Sequence, residues 1–203
     1  MPAGREEAQA PGPTTEPAQR MMVWDPVVRV LHWLVAFGCI ANLSVLKDAD
    51  DVHEYVGYVV LGAVLIRLVW AVIGSRHARY SDFVPTMPEM RTYVRLLLRG
   101  REPRYVGHNP AGALMMMFLV ALVIVCAVSG WMMGLDRFWG ELWVQLVHEW
   151  SANLILLGAL LHVAGAIVES FRHRENLILA MVTGRKRAAT GSDVCKSLDA
   201  DRS

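Results

Sequence analysis

The chain has 203 residues, of which 54% are hydrophobic and 19% charged, a composition too apolar for an ordinary soluble domain of this length. The formal net charge of +1 identifies no partner by itself, and no nucleic-acid partner is expected. The three cysteines form no CxxC or CxxCH motif, so a zinc knuckle, a dithiol centre and covalently attached c-type haem are all unsupported. The length suits a single domain, and no internal repeat is visible.

The chain begins with a polar segment. Residues 1–20, MPAGREEAQAPGPTTEPAQR, are rich in Pro, Ala and Glu and contain no apolar stretch. They are predicted to form a disordered tail instead of a secretory signal. Residues 188–203 are predicted to form a second, loose tail, which leaves 21–187 as the folded domain. Cys195 lies in this second tail, whereas Cys39 and Cys126 lie in apolar runs and are predicted to serve in packing.

Four apolar segments follow the first tail, at about 27–46, 55–73, 111–133 and 144–171. Each is close to the roughly 20 residues that a helix needs to cross the hydrocarbon core of a bilayer. The sequence therefore predicts an all-α fold, an integral membrane bundle of four helices.

The basic residues predict how this bundle is oriented. They concentrate in the loop between the second and third helices and in the flank after the fourth, whereas the loops KDADDVHE and GLDRFWGE are short and acidic. By the positive-inside rule, both termini are expected in the cytoplasm, in the inner membrane of a bacterium. Two further segments, PEMRTYVRLLLRG and ENLILAMVTGRKR, are too short to span and are predicted to lie along the lipid surface.

Four histidines lie at membrane depth, where an imidazole is costly and usually marks a site. His148 and His162 are fourteen residues apart, so in a helix they are separated by a rise of about 21 Å and lie within about 40° of the same face. His53, at the start of the second helix, is expected to face His148 near the outer surface. His32, one or two turns into the first helix, is expected to face His162 near the inner surface.

Paired imidazoles without a third protein ligand suit haem better than zinc or copper, which prefer three or four ligands. A porphyrin supplies four nitrogens and asks the protein only for two axial donors. We therefore predict two haems b, bound by His32 with His162 and by His53 with His148. His108, in GHNPAG, is the alternative to His32 as a ligand, and His77 and His173 lie in basic flanks.

Other residues are candidates for holding the porphyrins. Arg67 follows His53 by fourteen residues, which places it on the same helix face at the depth of the inner pair, where a haem propionate would need a cation. Arg29, one turn before His32, is a weaker candidate of the same kind. Small residues near the histidines would let a macrocycle approach a helix, although such residues also serve packing alone. They are Gly57, Ala152, Gly158 and Gly165.

These segments resemble the bacterial cytochrome b561 family, in particular the branch that includes the b-type cytochrome subunit of nickel–iron hydrogenases. The likeness extends from Val23 to Arg187 and is carried by VWDPVVRVLHW, HEYVGYVVLGAVLIRLVW, GHNPAG and HEWSANLILLGALLHVAG. It implies a four-helix membrane protein with two haems b, whose ligands correspond to His32, His53, His148 and His162. The N-terminal extension is not part of the shared pattern.

An iron with both axial positions filled has no open site for substrate, so one-electron transfer is the expected chemistry. The leading hypothesis is a subunit that links a periplasmic redox protein, such as a c-type cytochrome or a hydrogenase, to membrane quinone. A second is a self-contained quinone-coupled oxidoreductase, for which superoxide oxidation is a precedent in the resembling family. A third is a haem-free membrane anchor. The acidic outer loops favour the first over superoxide oxidation, because an enzyme that collects superoxide should carry a basic outer surface.

Overall fold

The computed structural model describes residues 20–75, 78–190 and 193–194, with the side chains of residues 82 and 83 left out. The four long helices are α1 (Pro26–Ser44), α2 (Asp50–Ile73), α5 (Pro110–Met133) and α6 (Leu142–Arg172). The shorter helices are α3 (Tyr80–Phe83), α4 (Met87–Leu98) and α7 (Leu177–Thr183), and a 3₁₀ turn spans Asp136–Phe138. Two short strands, β1 (Arg20–Met22) and β2 (Arg185–Arg187), complete the described elements.

The long helices confirm the prediction of four membrane-spanning segments. All four have the length and the apolar composition needed to cross a bilayer. α2 begins at Asp50, five residues before its predicted start at Tyr55, because Asp50 and Asp51 occupy its first turn, where carboxylates favour a helix. His53 consequently lies within the first turn of α2.

Local sequence defines the start of two spanning helices. The Asp25 side chain accepts a 2.9 Å hydrogen bond from the Val28 backbone N–H, and Pro26 follows in the first turn of α1. Asn109 does the same for α5, where its side chain accepts from the Gly112 N–H at 2.6 Å and Pro110 follows. A capping side chain before proline is a strong helix-start signal.

The long helices pack in the order α1 on α2, α2 on α5 and α5 on α6. Their shared core contains Val60 and Val64 of α2, Val123 of α5 and Ile155 of α6. Many other large apolar side chains on these helices are exposed, including Phe37 (62%) and Leu160 (61%). Exposed apolar helices with internally satisfied backbones suit contact with lipid.

Both ends of the described chain meet at one end of the bundle. β1 pairs with β2 in antiparallel register, Arg20 opposite Arg187 and Met22 opposite Arg185. We call this end, which carries β1, β2, α4 and α7, the basic end, and the opposite end, with loops 45–49 and 134–141, the acidic end. Neither strand was predicted from the sequence. Arg20 belongs to β1, whereas residues 1–19 of the predicted disordered tail lie outside the described residues.

A buried ionic network closes the basic end. Arg104, whose side chain is 5% exposed, contacts Glu175 at 3.0 Å and Asp193 at 2.6 Å. Val194 forms a parallel bridge with Tyr105. Asp193 and Val194 belong to the segment predicted to be a loose tail, and their contacts with the loop before α5 hold them to the folded domain. The rest of that tail, including Cys195, lies outside the described residues.

The two segments predicted to lie on the lipid surface differ in structure. α4 covers most of the first segment, and Thr86 and Glu89 form a reciprocal capping box at its start. α7 covers only the middle of the second segment. Gly184, which has a φ of +79°, ends α7, and the chain continues as β2. The left-handed backbone that glycine adopts readily explains why this helix stops before the basic triplet.

Candidate functional site

The structure brings the four membrane histidines together in two pairs. The ring centroids of His32 in α1 and His162 in α6 are 6.4 Å apart. Those of His53 in α2 and His148 in α6 are 6.1 Å apart. The first pair lies toward the basic end and the second toward the acidic end, so α6 contributes one imidazole to each.

The two separations can be compared with what a single metal ion between opposed imidazoles requires. A ring nitrogen lies about 1.15 Å from the centroid of a five-membered ring whose bonds are about 1.35 Å. With metal–nitrogen bonds of about 2 Å on either side, the centroids should be about 6.3 Å apart. The observed 6.4 and 6.1 Å agree with this value. The residues present therefore fit an iron held between two imidazoles at each site.

Other protein ligands do not complete these sites. Within the described ranges, no group of three or more His, Cys, Asp or Glu side chains could hold a metal ion. Two imidazoles alone make an incomplete site for zinc or copper. A group that brings its own equatorial nitrogens, such as a porphyrin, is the group that such a pair suits.

The ring of His148 is fixed by a hydrogen bond to α5. Its Nδ1 lies 2.9 Å from the Cys126 carbonyl oxygen, which also accepts a 2.9 Å hydrogen bond from the Ser129 hydroxyl. A carbonyl can only accept, so Nδ1 carries the proton and Nε2 is left free to bind a metal. This is the arrangement that metal-binding histidines usually show.

Gly130 provides the space for this ring. A Cβ at Gly130 would lie 3.0 Å from Cε1 and 3.2 Å from Nδ1 of His148, closer than ordinary contact. Sequence reasoning missed Gly130, Ser129 and the Cys126 carbonyl, and it assigned Cys126 to packing. The available signal was the run CAVSG, which places small residues one turn apart on α5.

The imidazoles of His32 and His53 differ from that of His148 in the surroundings of Nδ1. Nδ1 of His32 and Nδ1 of His53 are buried and unbonded among the described residues. The backbone around His53 is nevertheless anchored, because the Asn42 side-chain NH₂ donates to the His53 carbonyl at 3.0 Å. Asn42, which thereby ties α1 to the start of α2, was not singled out from the sequence.

Arg67 and Arg29 differ in how many hydrogen bonds the protein provides for their guanidinium groups. Nη1 of Arg67 is buried and has no hydrogen-bond partner in the described part of the chain. Nη2 of Arg29 donates to the Val182 carbonyl of α7, whereas its Nε is buried without a described partner. An unsatisfied buried guanidinium group fits an acidic group of a cofactor. Arg67 fits that role better than Arg29, which is already bonded.

The three glycines proposed to admit a macrocycle have different surroundings. At Gly57, an added Cβ would meet only Asn42, at 3.8 Å, so the space beside it is open. At Gly158, it would lie 2.8 Å from Leu119 Cδ2 and 3.7 Å from Phe118 Cε1. Gly158 therefore lies against α5 instead of open space, because the close packing of α5 on α6 requires a small residue there. Gly165, like Gly57, has no close neighbour.

His108 and His173, the other histidines that the structure describes, lie elsewhere at the basic end. The ring facing His162 is that of His32, whereas the His108 ring packs against Trp24 at 4.6 Å. Burial, followed by repulsion from Lys186, lowers the pKa of His108 to about 3, so the ring is neutral. His173 contacts Glu169 at 2.9 Å, and His77 lies outside the described residues.

Asp25 and Lys186 complete the polar surroundings of the basic end. Burial alone would raise the pKa of Asp25, but hydrogen bonds from Ser75, Val28 and Trp70 outweigh it and hold that pKa below its usual value. The Lys186 ammonium donates to the carbonyls of Val106 and Gly107 at 2.9 and 3.2 Å and lies 5.3 Å over the Trp24 ring.

A bundle of four spanning helices, three of which oppose histidines in pairs at two depths, defines a membrane-embedded cytochrome. The chain belongs to the prokaryotic cytochrome b561 family, whose model matches residues 23–184. Membership implies a b-type haem and electron transfer in a bacterial membrane. The earlier resemblance to this family is thereby confirmed.

The chain is similar to several curated proteins. One from Bradyrhizobium diazoefficiens, described as a probable Ni/Fe-hydrogenase B-type cytochrome subunit, is 26% identical over 89% of this chain and 91% of its own length. Another of that description, from Azotobacter vinelandii, is 32% identical over 80% of this chain and 86% of its own length. A probable Ni/Fe-hydrogenase 1 B-type cytochrome subunit from Escherichia coli K12 is 25% identical over 80% of this chain and 88% of its own length. No solved structure matches the chain.

Proposed function

We propose that this protein binds two haems b and carries electrons across the membrane between a redox protein at the acidic end and quinone. The observation that carries the proposal is the separation of the two histidine pairs, 6.4 and 6.1 Å between ring centroids. His32 with His162, and His53 with His148, are the axial ligands in this proposal. Haem iron so bound supplies one-electron chemistry.

The protein's own groups would orient and neutralise the two cofactors. The Cys126 carbonyl fixes the tautomer of His148, and Gly130 leaves room for its ring. The unbonded Nη1 of Arg67 supports a role in binding a propionate of the haem at the basic end, with Arg29 in a secondary role. The open space beside Gly57 suits the approach of a macrocycle to α2.

The distribution of charge supports an orientation and a type of partner. Basic residues at the end that carries both described termini favour a cytoplasmic location for that end. The acidic end would then face the periplasm, where its carboxylates suit a cationic surface on a partner protein. The curated relatives are described as hydrogenase cytochrome subunits, which favours a hydrogenase over a c-type cytochrome as that partner. The acidic residues are Asp48, Asp50, Asp51, Glu54, Asp136, Glu141 and Glu149.

The acidic end also bears on the alternative function as a superoxide oxidase. An anionic substrate is drawn to a positive surface and repelled by a negative one. Only Lys47 and Arg137 oppose the carboxylates there, and Lys47 lies 3.8 Å from Asp48. Electron transfer from a docked protein is therefore the function that the charges favour.

The test is a haem count with redox titration on the purified protein and on four variants. Wild type should contain two haems per chain, both low-spin and reducible by quinol. His53→Ala and His148→Ala should each lose one haem and keep the other, and His32→Ala and His162→Ala should lose the opposite one. Optical and electron paramagnetic resonance spectra distinguish the two haems.

Two results would contradict the proposal. One is a protein that contains no haem when expressed with ample haem supply. The other is the loss of both haems in all four variants while circular dichroism shows an intact fold, since that result denies independent pairing. If superoxide reduced the haems faster than a docked hydrogenase or c-type cytochrome does, that result would instead favour the alternative function.

A further inference from the structure

One face of α4 combines exposed apolar side chains with a row of arginines. Met87, Val94 and Leu98 are 77%, 42% and 83% exposed, and at 100° per residue they lie within about 40° of one another on the helix. Arg91, Arg95 and Arg99 are also exposed. Spaced four residues apart, they follow one edge of that apolar face, at about 40°, 80° and 120° from Met87. We call these six residues the α4 stripe.

The other side of α4 is held firmly by the protein. Tyr93, about 120° from Met87 around the helix, is 2% exposed. Its hydroxyl donates to Glu169 of α6 at 3.1 Å, and its ring meets the Tyr105 ring at 5.8 Å. Glu169 lies one turn before the end of α6. α4 is thus fixed beside the end of a spanning helix, with the stripe turned outward.

The arginines of the stripe are left without counter-charges. Among the residues that the structure describes, neither Arg91, Arg95 nor Arg99 is within ion-pair distance of a carboxylate. Elsewhere at the same end, Arg104 and Arg172 are both paired, Arg172 with Glu102 at 2.6 Å. Arg104 and Arg172 are thus neutralised within the protein, whereas the row on α4 is left for an anion outside it.

We propose that the α4 stripe binds anionic phospholipid headgroups of the leaflet at the basic end, with the three arginines on the phosphates and Met87, Val94 and Leu98 among the acyl chains. Three observations point to a lipid: the apolar face adjoins the arginine row, α4 lies beside the end of a spanning helix, and the three arginines have no counter-charge among the described residues. An arginine near an anionic membrane surface gains about 1 kcal/mol, or about fivefold in the binding equilibrium.

Hydrogen exchange of the full-length protein in lipid nanodiscs tests this proposal. Amides of residues 87–98 should exchange at least about fivefold more slowly in discs containing phosphatidylglycerol than in pure phosphatidylcholine. Raising the salt concentration should narrow the difference, because it screens charges at the surface. In the triple variant Arg91→Gln/Arg95→Gln/Arg99→Gln, the amides of α4 should exchange equally fast in the two kinds of disc. This variant should also retain less phospholipid through purification.

A matched control removes the same charge from the same end. Arg20→Gln/Arg174→Gln/Arg185→Gln replaces three exposed arginines outside α4 and should keep the lipid dependence of exchange. If both triple variants lost the lipid dependence of exchange equally, the proposal would be overturned, because the effect would then belong to the net charge of the whole basic end. Equal exchange of wild-type α4 in the two kinds of disc would also overturn it, and would point to a protein as the occupant of the stripe.

Discussion

Gly130→Ala tests whether α5 sets the position of the imidazole at the acidic-end site. The new methyl group would lie 3.0 Å from Cε1 of His148, and ordinary contact begins at 3.4 Å, so the ring must retreat by about 0.4 Å. The ring cannot do so without straining its 2.9 Å hydrogen bond to the Cys126 carbonyl. It would also alter the 6.1 Å separation from His53.

The expected result is weaker binding of one haem in a protein that remains folded. Loss of a hydrogen bond that orients a metal-binding histidine typically costs 10- to 100-fold in affinity, so we expect a loss of about that size. Alanine favours a helix over glycine by up to about 1 kcal/mol, so the stability of the haem-free protein should not fall. Haem titration, with thermal unfolding of the haem-free form, measures both quantities.

Gly62→Ala is the matched control. Gly62 follows His53 by nine residues, which places it on the opposite face of α2, and an added Cβ there meets nothing within 4 Å. This variant should keep both haem affinities. If Gly130→Ala binds both haems as tightly as wild type, the ring of His148 is not constrained by α5, and the reasoning from its hydrogen bond fails.

Three other variants probe the basic end. Arg67→Met should lower the affinity for the haem held by His32 and His162 by about tenfold or more, the value of a charge-assisted hydrogen bond, without destabilising the haem-free protein. An unchanged affinity would contradict the propionate contact. Arg104→Met leaves the Glu175 and Asp193 carboxylates unpaired and should lower the unfolding free energy by about 3–5 kcal/mol, which chemical denaturation measures. Burial lowers the pKa of Lys186 from 10.5 to about 8, so the unfolded chain binds this proton more tightly than the folded one. The free energy of unfolding should therefore rise by roughly 3 kcal/mol at most as the pH increases from about 8 to 10.5. A Lys186→Met variant whose unfolding midpoint rises with pH as much as that of the wild type would contradict this assignment.

The membrane-spanning part of the fold could be predicted from the sequence because it follows from length and composition. A run of about 20 apolar residues has few stable alternatives to a spanning helix. The strand pair β1 and β2 could not be found in this way. It joins three residues from each end of the chain, and neither RMM nor RKR has the length or alternation that marks a strand.

The two histidine pairs were predictable for a similar geometric reason. Two residues of a helix that are fourteen positions apart lie close to the same face at different depths. In an up-and-down bundle, the direction of each neighbouring helix then determines which of its histidines lies at either depth. The residues around the pairs were harder to foresee. The Cys126 carbonyl belongs to the backbone, and Gly130 acts by leaving space, so neither has a side chain whose chemistry indicates a site. Gly158 was a candidate for contact with a macrocycle, and the structure shows Leu119 of α5 beside it; the sequence could not separate the two roles, because a small residue serves a helix contact and a cofactor contact equally well.

The helix that carries none of the paired histidines also shapes the geometry of the pair at the acidic end. α5 packs against both α2 and α6, so it sets the distance between His53 and His148 while contributing no imidazole itself. Its contact with α6 is close at two glycines, where Leu119 of α5 meets Gly158 and where Gly130 of α5 meets the ring of His148. A bulkier residue at either glycine would push α6 or its histidine away from α5. The separation between His53 and His148 therefore depends on small residues at this helix interface as well as on the histidines themselves.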